Sequence, residues 1–221
     1  MTRALVIGAS GGIGAALVAA LRGRGADVVG LSRSADGLDL TDEDSIAAGL
    51  GALEGAFDLI VVATGVLAGA GQPPEKALRE LRPAAMLDQV AVNAVGPLLV
   101  LKHAQRLIPR DRRAVFAVLS ARVGSIGDNR LGGWYSYRMA KAALNQGLRT
   151  ASIELARSHR QAICVALHPG TVATPFTARY AGRHPTVAPD QAAENLLRVI
   201  DGLTPGQTGA FLDWAGDRVA W

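Results

Sequence analysis

Ala4-Leu5-Val6-Ile7-Gly8-Ala9-Ser10-Gly11-Gly12-Ile13-Gly14 sets three glycines at the spacing G-x-x-x-G-x-G between an apolar run of strand character and the start of a helical pattern. Glycine permits backbone angles and close approaches that a Cβ would block, so the first amides of the helix are left free to face a pyrophosphate. Such spacing is weak evidence in isolation. Opening a strand-turn-helix unit, Gly8, Gly12 and Gly14, with Ser10 and Ile13 between them, point to a dinucleotide; the bland alternative is a merely tight turn. The motif is neither G-x-G-x-x-G nor a P-loop, since no Gly-Lys-Ser/Thr follows.

Outward from this loop, short β-branched runs alternate with longer alanine-rich segments of helical period. That alternation predicts an α/β fold, a single doubly wound parallel sheet of the Rossmann type with helices on both faces. Strands are expected near Ala4 to Ile7, Val28 to Ser32, Leu59 to Ala63, Val115 to Ser120, Ile163 to Leu167 and Ala210 to Asp213. Helices are expected from Gly12 to Arg22, from Thr41 as N-cap, over Leu78 to Leu107 with breaks at Pro83 and Pro97, over Tyr137 to Ser158, and over Pro189 to Ile200. No linker interrupts the series, so residues 1–221 read as one domain. The segment Pro175 to Val187 is a candidate lid.

Composition narrows the classes. With 49% hydrophobic residues the chain is no disordered segment, and a lone Cys164 inside Ile163-Cys164-Val165 rules out a disulfide scaffold. That thiol is compatible with a cytoplasmic, reducing compartment, the location expected here. No run of 18 uninterrupted apolar residues occurs, so no membrane span is expected, and the apolar stretch after Met1-Thr2-Arg3 is too short for a signal-peptide core. The net charge of +4 comes from scattered arginines, and the cluster Arg110-Asp111-Arg112-Arg113 reads as a solvated loop rather than a nucleic-acid face. His103, His159, His168 and His184 show no metal-ligand spacing, and no metal is expected.

The end of the second strand bears on the choice of dinucleotide. An acid there would accept the ribose hydroxyls of NAD, but Val28-Val29-Gly30-Leu31-Ser32-Arg33 ends in a hydroxyl and a guanidinium. Arginine matches a phosphate by charge and by its planar donor fork, which favours NADP(H) over NAD(H). Asp36 lies nearby, but Ser34-Ala35-Asp36-Gly37 reads first as a turn.

Trp134-Tyr135-Ser136-Tyr137-Arg138-Met139-Ala140-Lys141 holds a Tyr-x-x-x-Lys pair on a helical segment. Residues four apart share a helix face, which sets the Lys141 amine beside the Tyr137 phenol. A phenol of pKa near 10 is a poor acid-base group at neutral pH, and a close cation can lower it by roughly 1 to 3 units. Tyr135 has no such partner, since its counterpart is Met139.

Taken together, these segments resemble the short-chain dehydrogenase/reductases, and more narrowly the C-factor and carbonyl-reductase branch. The resemblance runs through Gly8 to Gly14, Asp39-Leu40, Ala63-Thr64-Gly65, Asn93, the Ser120 region, Tyr137 with Lys141, and Pro169-Gly170-Thr171-Val172-Ala173-Thr174. It implies that Asp39 meets the adenine, Ala63 to Gly65 the adenosine side, and Val172 and Thr174 the nicotinamide amide and pyrophosphate. Tyr137 would exchange a proton with a carbonyl or alcohol oxygen, Lys141 would lower its pKa and hold the nicotinamide ribose, and Asn93 would hold a water in a relay through Lys141. A homodimer or homotetramer is also implied. The small residues Ala140, Ala143, Gly147 and Ala151 suit a helix approached by a second copy, although packing on the sheet needs small residues too.

Two departures stand out. Val62-Ala63-Thr64-Gly65 lacks the two asparagines usual at that turn, and the substrate-orienting serine of the family aligns with Ala121. Ser120, the candidate catalytic hydroxyl, is one residue early, where strand alternation aims it away unless the strand has already ended, and Ser125 is four late, in a loop that could fold back. The expected activity is hydride transfer between NADP(H) and a small or medium carbonyl or alcohol substrate. The alternative is a nucleotide-binding signalling or regulatory protein with little turnover.

Overall fold

Six apolar runs pair in parallel as β1 (Arg3–Ile7), β2 (Asp27–Leu31), β3 (Leu59–Val62), β4 (Ala114–Leu119), β5 (Ala162–His168) and β6 (Phe211–Asp213), in the order β2-β1-β3-β4-β5-β6. These facts come from a computed structural model, which describes residues 2–178 and 185–221. Strand order reverses between β1 and β3, which are neighbours from Ala4 against Leu59 to Ile7 against Val62. Open parallel sheets bind ligands outside the carboxyl ends of their strands at such a switch point. Gly8 follows β1 there, and Ala63 to Gly65 follow β3.

Side chains alternate across a strand, and the core divides accordingly into two layers. Ala4, Val6, Val61, Ala117 and Val165 pack on one face against Leu17 and Leu21 of α1 (Gly12–Gly23) and Leu196 and Ile200 of α7 (Pro189–Gly202). Leu5, Ile7, Val62, Phe116 and Cys164 pack on the other face against α3 (Glu43–Gly51), α5 (Gly96–Ala104) and α6 (Tyr135–Ser158). Cys164 is fully buried, as its apolar setting implies, and burial pushes its thiol up to about 12.

Several boundaries differ from the expected ones. The second long helix is capped by Asp42, not Thr41: the Asp42 carboxylate accepts from the Asp44 amide at 3.0 Å, while the Thr41 hydroxyl turns back to Asp39 at 2.7 Å. A single helical turn, α2 (Arg33–Asp36), follows β2. Asp36 closes that turn by accepting from the Ser32 amide at 2.7 Å, and Gly37 ends it at φ 69°. Pro83 opens α4 (Pro83–Val90), where a first-turn residue needs no donor, but Pro97 does not break the helix. A π-helical turn, Ala91–Val95, bridges α4 to α5 instead. Pro97 lacks the N–H that would serve the Asn93 carbonyl, and the wider turn absorbs that lost bond.

The stretch Pro83–Leu107 is 25 residues long and contains an 18-residue window of mean hydropathy 1.6, long and apolar enough by those measures alone to cross a membrane. Here Ala94, Val100, Ala104 and Leu107 enter the core between sheet and helices. Two arginines of the cluster bond to the chain itself. Arg112 pairs with Asp58 at 2.9 Å, and Arg113 donates to the carbonyls of Ile200 at 2.6 Å and Leu203 at 3.2 Å.

Candidate active site

The glycine loop is shaped by contacts that admit no side chain. Gly8 stands at φ 88°, and a Cβ there would lie 2.9 Å from Thr64 Cγ2; a Cβ on Gly14 would overlap the Gly8 carbonyl. The loop therefore folds tightly against the turn after β3. Gly11, at the N-cap of α1, offers no side-chain bond, and the first turn holds no acid. Helix N-terminal amides without a cap are donors suited to a phosphate. Across from them is Thr174, whose Cγ2 would be 2.7 Å from a Cβ on Gly12. Thr64 Oγ1 is buried with no partner among the described residues. These donors and this close-set cradle fit a pyrophosphate.

On the outer side of the loop, the Ser34 hydroxyl donates to Ser10 Oγ at 3.1 Å, tying α2 to the glycine turn. Arg33 is exposed as the first residue of α2, and Ser32 accepts from the Ala35 amide at 3.2 Å. Asp39 Oδ1 accepts from the Thr41 amide at 2.8 Å, and these bonds hold its carboxyl below the usual range. Leu40 is buried against Gly96.

Toward the other end, Gly65 is the meeting point. A Cβ there would lie 3.0 Å from Asn93 Oδ1, 3.8 Å from Lys141 Nζ and 4.0 Å from Phe176 Cε2. Asn93 sits in the π-helical turn and is fully buried. Its Oδ1 accepts from the Val66 amide at 3.1 Å, and its Nδ2 donates to the Val66 carbonyl at 2.9 Å and to Gln89 at 2.6 Å. The side chain thus pins the segment that follows Gly65.

Tyr137 and Lys141 share one face of α6, with Lys141 Nζ 5.8 Å from the centre of the Tyr137 ring. The amine donates to the Leu119 carbonyl at 2.9 Å. Both side chains are buried, at 7% and 2% exposure. Burial dominates both: it raises the Tyr137 pKa above that of a free phenol and pushes Lys141 down to about 7. The lowering of Tyr137 by a charged Lys141, expected from the spacing, is outweighed by desolvation, which favours the neutral form of each group.

Aromatic rings flank the phenol. Trp134 meets it edge-on at 6.3 Å between ring centres, and Phe176 lies tilted at 6.2 Å. Phe176, in the expected lid, was not singled out by sequence reasoning; residues 179–184 of that segment, with His184, lie outside the described residues. Among the described residues no cluster of metal ligands occurs.

β4 ends at Leu119, and the hydroxyls of both Ser120 and Ser125 beyond it are engaged within the protein. Ser120 Oγ donates to Asn145 Oδ1 at 2.7 Å inside the core, two helical turns along α6 from Tyr137. The following turn, Arg122–Gly124, folds back onto α6, where a Cβ on Gly124 would lie 2.7 Å from Lys141 Cβ. Ser125 comes next, buried, its Oγ accepting from the Asp128 amide at 3.0 Å. Beyond β5, Pro169 leads to Gly170, at φ 81° under the Trp214 ring, and to buried Val172, which bridges to Val187. On α6, Gly147 packs against Leu98 of α5 within the chain, whereas Ala143 is exposed.

The family model described as enoyl-(acyl carrier protein) reductase matches residues 8–213. The chain is 32% identical over 238 residues to 1-hydroxy-2-glutathionyl-2-methyl-3-butene dehydrogenase of Rhodococcus sp. (strain AD45), covering 100% of each. It is 36% identical over 148 residues to the C-signal protein of Myxococcus xanthus, covering 66% of this chain and 84% of that one. A short-chain dehydrogenase/reductase of Burkholderia multivorans, solved with bound NADP, superposes with a TM-score of 0.85 at 27% identity, covering 100% of this chain and 99% of that one.

Proposed function

Because the chain belongs to the short-chain dehydrogenase/reductase family, we propose that it is an NADP(H)-dependent oxidoreductase acting on a small or medium carbonyl or alcohol, with Tyr137 as the proton donor and acceptor. The observation that carries this reading is the burial of Tyr137 beside Lys141, between Trp134 and Phe176, with Gly65 joining that group to the turn against which the glycine loop is folded.

The first-turn amides of α1 and Thr174 would hold the pyrophosphate, and Arg33 with Ser32 would meet a 2′-phosphate. The nicotinamide, when bound, supplies or accepts the hydride. Burial keeps the Tyr137 phenol protonated across the neutral range, which suits it to give its proton to a carbonyl oxygen. Lys141, with a pKa near 7, gains or loses charge close to neutrality; when charged it stabilises the phenolate left after transfer. Asn93 fixes Val66 and the segment after Gly65, so the wall beside the amine stays in place. Trp134 and Phe176 give the pocket apolar sides and exclude water.

A homodimer or homotetramer and a cytoplasmic site of action belong to the same proposal. A second reading, a nucleotide-binding regulatory protein with little turnover, is favoured by Ala121 at the position of the substrate-orienting serine and by the similarity to C-signal. Following NADPH absorbance with a panel of aldehydes, diketones and quinones, beside a direct NADPH titration, separates the two. Turnover with any of them supports the reductase; tight NADPH binding with no turnover across the panel supports the regulator.

A further inference from the structure

Tyr137 is the third residue of α6, and the first turn of a helix has no internal acceptors for its amides. The first bond of that ladder is Arg138 N–H to the Trp134 carbonyl, at 2.8 Å. A side chain placed there frays unless something outside the helix ties it down. The entry is also strained: Gly132, Gly133 and Trp134 stand at φ 62°, 65° and 52°, and for tryptophan the left-handed region costs on the order of 1–3 kcal/mol.

Several groups hold this segment, among them Asn129, whose Oδ1 accepts from the Gly132 amide at 3.1 Å. Arg138 gathers the carbonyls of Gly133 at 2.9 Å, Gly132 at 3.1 Å and Val123 at 3.2 Å. From the far side comes Glu75, only 6% exposed, on the loop before α4. Its Oε2 accepts from the Ser136 amide at 3.2 Å, its Oε1 accepts from the Ser136 hydroxyl, and its own carbonyl accepts from the Trp134 amide at 2.5 Å. A carboxylate at a helix N-terminus also gains from the macrodipole. The contact spans 61 residues of sequence and secures the backbone on the N-terminal side of the phenol.

We propose that Glu75 is a positioning residue for Tyr137: its carboxylate and carbonyl clamp Ser136 and Trp134, fixing the fraying first turn so that the phenol and the Trp134 indole keep one arrangement. The proposal rests on the oxidoreductase reading for its effect on turnover, though not for the clamp itself.

The test compares wild type with Glu75→Ala, Glu75→Gln and Ser136→Ala. The readouts are amide hydrogen exchange over residues 132–141, NADPH affinity, and kcat and KM for a carbonyl compound the wild type reduces. In Glu75→Ala, exchange of the 134–137 amides should rise about tenfold with the sheet unchanged. Its kcat should fall about 10- to 10²-fold at nearly unaltered NADPH affinity. Glu75→Gln keeps an oxygen for the Ser136 amide and should recover most of both, and Ser136→Ala should fall between them. Wild-type exchange in Glu75→Ala overturns the clamp, whether or not the protein turns over. Faster exchange with unchanged kcat overturns the positioning role. If the wild type reduces nothing, the oxidoreductase reading fails while the exchange data still decide the clamp.

Discussion

The amine of Lys141 lies 5.8 Å from the centre of the Tyr137 ring and gives its hydrogen bond to the Leu119 carbonyl. Proximity on the helix face is thus achieved without a direct amine-phenol bond, and burial of both groups governs their protonation.

The sign of the pH dependence follows. The Lys141 pKa falls from 10.5 to about 7 on folding, so between those limits the unfolded chain binds more protons than the folded one. Stability from this group therefore rises as pH increases from 7 toward 10. Lys141→Met removes the effect, so its melting temperature minus that of the wild type should decline across that window. A difference independent of pH would mean that Lys141 is not buried in this way.

In the proposed function Arg33 carries the preference for NADP(H) over NAD(H). Arg33→Ala should weaken NADPH by about 10-fold or more, the value of a charge-assisted bond, and leave NADH nearly unchanged. Equal losses for both coenzymes, measured by fluorescence titration, would contradict the role given to the guanidinium.

Ser120 and Ala121 should separate stability from chemistry. Ser120→Ala leaves the buried Asn145 Oδ1 without its donor, beside an Nδ2 with no partner among the described residues, and should cost about 1–3 kcal/mol in urea unfolding with kcat little changed. Ala121→Ser, which restores a hydroxyl where the family carries one, should raise kcat, since one such donor is worth roughly 10²-fold or more when optimally placed. A collapse of kcat in Ser120→Ala with full stability would reverse this assignment.

Asn93→Ala strips Val66 of partners for both its amide and its carbonyl. Unfolding free energy should fall by about 1–3 kcal/mol and turnover should fall with it. Loss of turnover at full stability would assign Asn93 a part in the chemistry beyond holding this wall.

Local pattern made much of this molecule legible. The six strands lie within a residue or two of their expected limits because each is a short apolar run between turn residues, and the glycine loop declares itself by the close approaches it must allow. The Tyr137–Lys141 pair is readable because four residues bring side chains onto one helix face. What escaped depends on distant contacts. Glu75 reaches Ser136 across 61 residues, and Phe176 meets Tyr137 through the fold, with no periodicity to mark either. Pro97 reads as a break because a proline removes a helical bond, yet the chain answers with a π-helical turn that carries Asn93. The protonation of Tyr137 departs from expectation for a related reason: spacing shows a neighbouring amine but not how much water the fold takes away from both.

Replacing Tyr137 with phenylalanine bears on the chemistry most directly, since it removes one oxygen and leaves the ring contacts with Trp134 and Phe176 available. With a carbonyl compound that the wild type reduces, Tyr137→Phe should oxidise NADPH at least about 10²-fold more slowly while binding it equally well. Equal rates in the two proteins would show that the proton comes from elsewhere, and the acid-base role given to this phenol would be wrong.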